Sequence, residues 1–176
     1  MKKKVLLLCD QSDIGIVEES FATYDKYEVT VETTERILEI GVQHYLEETI
    51  SLINNNPEMF DAVIGTHDSS AVFAAVISER AGLTFASVNS VINCQNKYIC
   101  RQLQQEVVPE CTPRFCLATE YFQDPESYGT VWVKPVRSNM THCGGLIESG
   151  EALEELVGNS TSEVIQYNQY FVDALS

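Results

Sequence analysis

Lys97 and Lys134 are the side chains in this sequence best placed to do chemistry. Lys97 lies in Asn96-Lys97-Tyr98-Ile99-Cys100-Arg101, at the start of a predicted helix. Lys134 lies in Val131-Trp132-Val133-Lys134-Pro135-Val136, a short apolar strand that runs into a polar, glycine-bearing loop. A strand that delivers a lysine beside a loop of hydroxyls and glycines suits a polyphosphate. The ammonium supplies a point charge, and the loop supplies backbone N–H groups with no Cβ in the way. A second lysine from another element would hold the other side of the same phosphate chain. A cation in the first turn of a helix faces the positive end of the helix dipole, so a bound anion would account for Lys97. A lysine in an apolar strand is costly unless it is paired or reaches water.

Other groups are weaker candidates. His67-Asp68 closes one predicted strand and opens the next helix, the position where open α/β sheets bind ligands. Asp10, followed by Gln11 and Ser12, ends the first strand on the same rim. Asp10, His67 and Asp68 are therefore expected substrate contacts, with a helix cap as the plain alternative. His142-Cys143 invites a metal reading, but neighbours on a loop need further ligands, and neither His44 nor His67 has a fitting spacing, so no metal site is expected. Glu18-Glu19, Glu47-Glu48 and Glu154-Glu155 read as solvated helix faces.

The composition limits what these groups can serve. The chain has 176 residues, 44% hydrophobic and 21% charged, which suits one full domain or one domain and part of another. Its formal net charge is -15. Such a surface repels nucleic acid and anionic lipid, so neither is an expected partner, and any bound phosphate must be held by local lysines. Lys2-Lys3-Lys4 before Val5–Leu8 mimics a signal peptide, but Asp10 ends the apolar run too early. No stretch is long enough to span a membrane. The six cysteines form no Cys-x-x-Cys, and reduced thiols in a cytoplasmic protein are expected.

The elements that must position these residues alternate in the first half. Strands are predicted at 4–9, 27–31, 62–65 and 84–88, with helices at 14–24, 42–54 and 70–80, which argues for a parallel sheet. After a boundary near residue 93 the pattern changes. A helix is predicted over 95–107 and a strand over 114–118. An antiparallel pair is expected at 130–136 and 144–147, then a helix over 151–157 and a last strand within 163–175. The fold class is α/β: a Rossmann-like leading domain, 1–93, and a second α+β part, 94–176.

In that order the motifs resemble the ATP-grasp superfamily. Asn96-Lys97 with Arg101 is similar to its lysine-and-arginine helix, and Val107-Val108-Pro109 with Thr112-Pro113 to its proline-containing approach to the next strand. Trp132-Val133-Lys134-Pro135-Val136-Arg137-Ser138 resembles the Val-Lys-Pro segment that enters its glycine-rich lid loop. Ser149-Gly150-Glu151-Ala152-Leu153 looks like the lid helix, and Tyr170-Phe171-Val172-Asp173 resembles a strand of the amino-acid-ligating branch. The resemblance implies ATP and Mg²⁺ as cofactors. Lys134 would contact an α-phosphate oxygen and the adenine edge, and Lys97 would face the phosphates. Ser138, Thr141, Gly144 and Gly145 would form the lid loop, and Gln166 would lie in the adenine hinge.

The implied activity is an ATP-dependent carboxylate–amine ligase that acts through an acyl phosphate on an amino acid or small metabolite. Alternatives are a non-catalytic nucleotide- or metabolite-binding module and a biotin-carboxylase or carbamoyl-phosphate type of enzyme. The lid loop has fewer early glycines than many members, and the hinge is shorter and lacks the glycine before the next strand. The family's third subdomain has no counterpart in the sequence. Magnesium ligands are therefore expected beyond Ser176, and residues 1–176 alone are expected not to turn over. Tyr167, Tyr170 and Phe171 are expected in the core or at an interface; if exposed, they would favour a homodimer.

Overall fold

In the computed structural model, residues 1–22, 25–138 and 142–176 are described, the side chain of Ala22 excepted. They form two compact units, Met1–Ile92 with Tyr170–Ser176, and Asn93–Gln169.

The first unit is built on β1 (Lys3–Cys9), whose residues Val5–Cys9 are all buried. A strand buried on both faces needs no alternation, and the run Val5-Leu6-Leu7-Leu8-Cys9 has none. A 3₁₀ turn (Gln11–Asp13) and α1 (Ile14–Ala22) lead to β2 (Tyr27–Thr33), α2 (Thr34–Ile40) and α3 (Val42–Asn55). Then come β3 (Ala62–Gly65) and α4 (Asp68–Ala81). The strands form a parallel three-stranded sheet in the order β2-β1-β3, with Leu7 opposite Val31 on one side and Ile64 on the other. This is the α/β architecture expected from the alternating pattern. Phe73, Ala74, Val76 and Ile77 of α4 pack with Leu6, Leu8, Ile37, Leu46 and Val63 into one core.

Gly65 sets how close α4 comes to β3. A Cβ there would overlap the Ser70 carbonyl and stand 2.5 Å from the Ala71 nitrogen, so only glycine fits. At its other end α4 stops at Gly82, whose φ of 69° suits a left-handed cap.

The next elements are α5 (Val88–Gln95), α6 (Lys97–Val107), a 3₁₀ turn (Pro109–Cys111), α7 (Ala118–Gln123) and α8 (Pro125–Tyr128). An antiparallel pair follows, β4 (Val131–Val133) with β5 (Gly145–Ile147), and then α9 (Gly150–Leu175). In the second unit, Tyr121, Ile147 and Leu153 make a small core flanked by Tyr128, Val131, Val133 and Leu156.

Several expected elements differ. The strand expected at 84–88 is reduced to a bridge between Ala62 and Thr84. The Ser87 hydroxyl accepts from Ser90 N–H and the Glu79 carboxylate accepts from Val88 N–H, so the chain turns into α5 instead. The helix expected over 95–107 breaks at Asn96, whose carboxamide oxygen caps α6. Residues 114–118 form no strand. The Glu120 carboxylate accepts from Leu117 N–H and starts α7 at Ala118.

The last strand is also absent. Residues 163–175 belong to α9, because Tyr170, Phe171, Ala174 and Leu175 recur at helical spacing and pack on the core of the first unit. Burial of that stripe overrides the β propensity of Val164, Ile165, Tyr167 and Val172. Among the described residues no helix is long and apolar enough to cross a membrane.

Candidate functional site

Within the second unit, the structure joins Lys97 to Ser138. The Lys97 ammonium donates to the Ser138 carbonyl at 3.0 Å and to its hydroxyl at 3.3 Å. The first N–H groups of α6 are used as well. Lys97 N–H donates to the Val136 carbonyl, and Tyr98 and Ile99 N–H donate to the Asn96 side chain. The helix end is thus satisfied by protein atoms. Lys97 bridges α6 to the segment that follows β4, which holds the start of the expected lid loop in place.

Arg137 fastens the same segment. It is only 6% exposed. Its guanidinium donates to the Gln95 side-chain oxygen at 2.8 and 3.1 Å and to that of Asn168 at 3.0 Å, and it lies over the Tyr167 ring at 5.7 Å. Four donor–acceptor and stacking contacts on a planar fork are what a lysine could not reproduce. The motif reading passed over Arg137, since its partners lie 42 and 31 residues away.

The β4–β5 pair has two unlike faces. Val131, Val133 and Ile147 turn inward to the small core. Trp132 and Leu146, directly opposite each other in the register, are 54% and 61% exposed. Lys134 follows β4 immediately and is exposed. Strand alternation alone sends Trp132 to the face opposite Val131 and Val133, a signal available in the sequence but not used. Two large apolar side chains beside a cation offer a stacking surface for a flat ring with a charge at one end.

The other expected residues are spread out. Gly144 and Gly145 are half-buried at the start of β5. Thr141 lies outside the described residues. Gln166 is exposed on α9 rather than on an extended hinge, so the backbone groups an extended hinge would offer a base are tied up within the helix.

In the first unit, Asp10 and His67 meet at the carboxyl ends of β1 and β3. His67 Nδ1 is 3.6 Å from the Asp10 carboxylate, and Nε2 contacts the Asp13 carboxylate. The hydrogen bond to Asp13 raises the His67 pKa above its ordinary 6.5; desolvation, the next largest effect, opposes it, and the charges of Asp10, Asp13 and Asp68 add to the rise. Glu35 accepts from Gln11 N–H on the same rim. His67 also belongs to the α4 start, where its N–H donates to the Ser70 hydroxyl. The rim therefore places an imidazole that holds its proton more firmly than usual among carboxylates.

No protein-family model and no curated protein sequence matches this chain. Among solved structures, its fold is similar to the crystal structure of an L-amino acid ligase from Bacillus licheniformis. The TM-score is 0.60 at 16% identity, over 91% of this chain and 42% of that one. The fold is ATP-grasp-like. The chain spans less than half the length of that enzyme.

Proposed function

We propose that the chain carries the front part of an ATP-dependent carboxylate–amine ligase of the ATP-grasp type, acting on an amino acid or another small metabolite. The observation that carries this reading is the exposed Trp132–Leu146 face with Lys134 at its end, on a fold similar to that of an L-amino acid ligase. The adenine ring would stack on Trp132, and Lys134 would take a phosphate oxygen. Lys97 would fix the Ser138 segment beside the phosphates. When bound, ATP would supply the phosphoryl group that activates the substrate carboxylate. On the first unit, the rim of Asp10, His67 and Asp68 would contact substrate, its carboxylates suiting an ammonium group.

Magnesium belongs to the same reading, but the residues described do not fit it. The one group of histidine, cysteine and acidic side chains that converges closely enough for an ion among them is His142, Cys143 and Glu163. A thiol and an imidazole are poor ligands for so hard a cation.

Calorimetric titration with ATP–Mg²⁺ tests the proposal. Lys134→Ala should weaken binding by about tenfold or more, the value of one charge-assisted contact. Equal heats and affinities for both proteins would remove the β4–β5 face from the site.

A further inference from the structure

His142 and Cys143, set aside as a metal site in the sequence, meet Glu163 in the second unit. His142 Nε2 is 3.1 Å from the Glu163 carboxylate, and Cys143 Sγ donates to the same carboxylate at 3.1 Å. One ligand atom from each of the three residues lies within 4.8 Å of the other two. His142 and Cys143 precede β5, and Glu163 stands on α9, twenty residues on from Cys143. The backbone at Cys143 is left-handed, with φ of 56°. That turn lets two neighbouring side chains reach one carboxylate.

We propose that His142, Cys143 and Glu163 bind a divalent cation of borderline softness, Zn²⁺ foremost, through one nitrogen, one sulfur and one oxygen. Three mixed ligands with a fourth position left to solvent form a tetrahedral set that zinc accepts readily. Zinc bonds of about 2.0–2.3 Å hold tetrahedral ligand atoms roughly 3.3–3.8 Å apart. The 3.1 Å contacts and the 4.8 Å limit bracket that spacing, so the ligand atoms need adjust their separations by no more than about 1–1.5 Å. The thiol selects against magnesium and calcium.

The proton balance is simple. Cys143 gives its thiol proton to solvent and binds as thiolate. His142 binds as neutral imidazole through Nε2, with its proton on Nδ1. Glu163 exchanges two hydrogen bonds for a metal bond. The net charge of -15 favours cation capture over the whole surface. The bound ion would tie the segment before β5 to α9. This inference is independent of the nucleotide reading.

Cobalt(II) titration of the reduced 176-residue chain, without nucleotide, tests the site. One equivalent should produce a near-ultraviolet thiolate-to-cobalt band and visible bands of tetrahedral intensity, and zinc should abolish both. Cys143→Ser should lose the thiolate band, whereas Cys94→Ser keeps it. Glu163→Gln and His142→Ala should each weaken affinity by more than the roughly 10–100-fold that a supporting outer partner is worth. No thiolate band, a band that survives Cys143→Ser, or an affinity unchanged in Glu163→Gln would overturn the proposal.

Discussion

The two units divide their polar groups differently. In the first, the charged groups pair with one another at the surface around a broad apolar core: His67 with Asp10 and Asp13, and Lys3 with Asp61 at 2.7 Å. In the second, the core is small, Arg137 and Ser138 are buried polar residues, and the large apolar pair Trp132–Leu146 faces solvent. The first unit also leaves apolar side chains in solvent, Ile16 at 68% among them, but none of its described charged residues is buried. A unit that buries a guanidinium and exposes a tryptophan has given up stability for presentation, the pattern expected of a recognition surface.

The sharpest break of this comparison is at Gly65. Gly65→Val should remove about 3 kcal/mol or more, because the added carbons meet the backbone of the first turn of α4 and that turn cannot yield without opening the core. Urea unfolding should show the first unit's transition shifted or lost. A change under about 1 kcal/mol would mean that α4 can slide, and that the first core is looser than described.

The second unit should fail through its polar groups. Arg137→Ala should cost about 2–3 kcal/mol, since it removes the buried donors to the Gln95 and Asn168 side-chain oxygens and the cation over the Tyr167 ring. Arg137→Lys should rescue little of that, because an ammonium cannot reach both amides in the same plane. Hydrogen exchange of amides in α6 and β4 reads this effect. Trp132→Ala, by contrast, should change stability by no more than about 0.5 kcal/mol, as expected of a mostly exposed side chain.

The legibility of the chain follows the same line. The uninterrupted apolar run Val5–Cys9 announces β1, and the short apolar runs around Trp132 and Leu146 announce the hairpin, because burial on a sheet writes itself into local pattern. Lys97 and Ser138, both singled out from the sequence, do meet. What local pattern could not carry is pairing at a distance. Arg137 finds Asn168 across 31 residues, and Cys143 finds Glu163 across 20. The helical fate of residues 163–175 was hidden for a similar reason. Their aromatic and β-branched residues suit a strand until the core that receives Tyr170 and Ala174 is known.

Smaller effects sharpen the contrast through pH. The folded pKa of His67 is raised above 6.5, so its contribution to stability is complete below about that value and is lost as pH rises through the folded pKa. The first unit should therefore weaken from near neutrality upward. The His67 side chain is 41% exposed, and screening keeps the effect below about 1 kcal/mol. His67→Gln should remove the slope, and a slope that persists would assign it elsewhere. In the second unit, the hydrogen bond to Glu163 raises the Cys143 thiol pKa, with burial adding to it. Alkylation of Cys143 in metal-free protein should thus be slow at mildly alkaline pH, and Glu163→Gln should speed it several-fold. An unchanged rate in peptide-resolved mass spectrometry would place Glu163 away from the thiol.

The central claim is that the solvent-facing side of β4–β5 receives a nucleotide. Trp132 is the single tryptophan of the chain, so its fluorescence reports on that face alone. Titration with ATP should quench it saturably, and Lys134→Ala should move the midpoint to about tenfold higher concentration. Emission unchanged up to millimolar ATP, under conditions where calorimetry detects binding, would contradict the claim and send the search for the nucleotide to another surface.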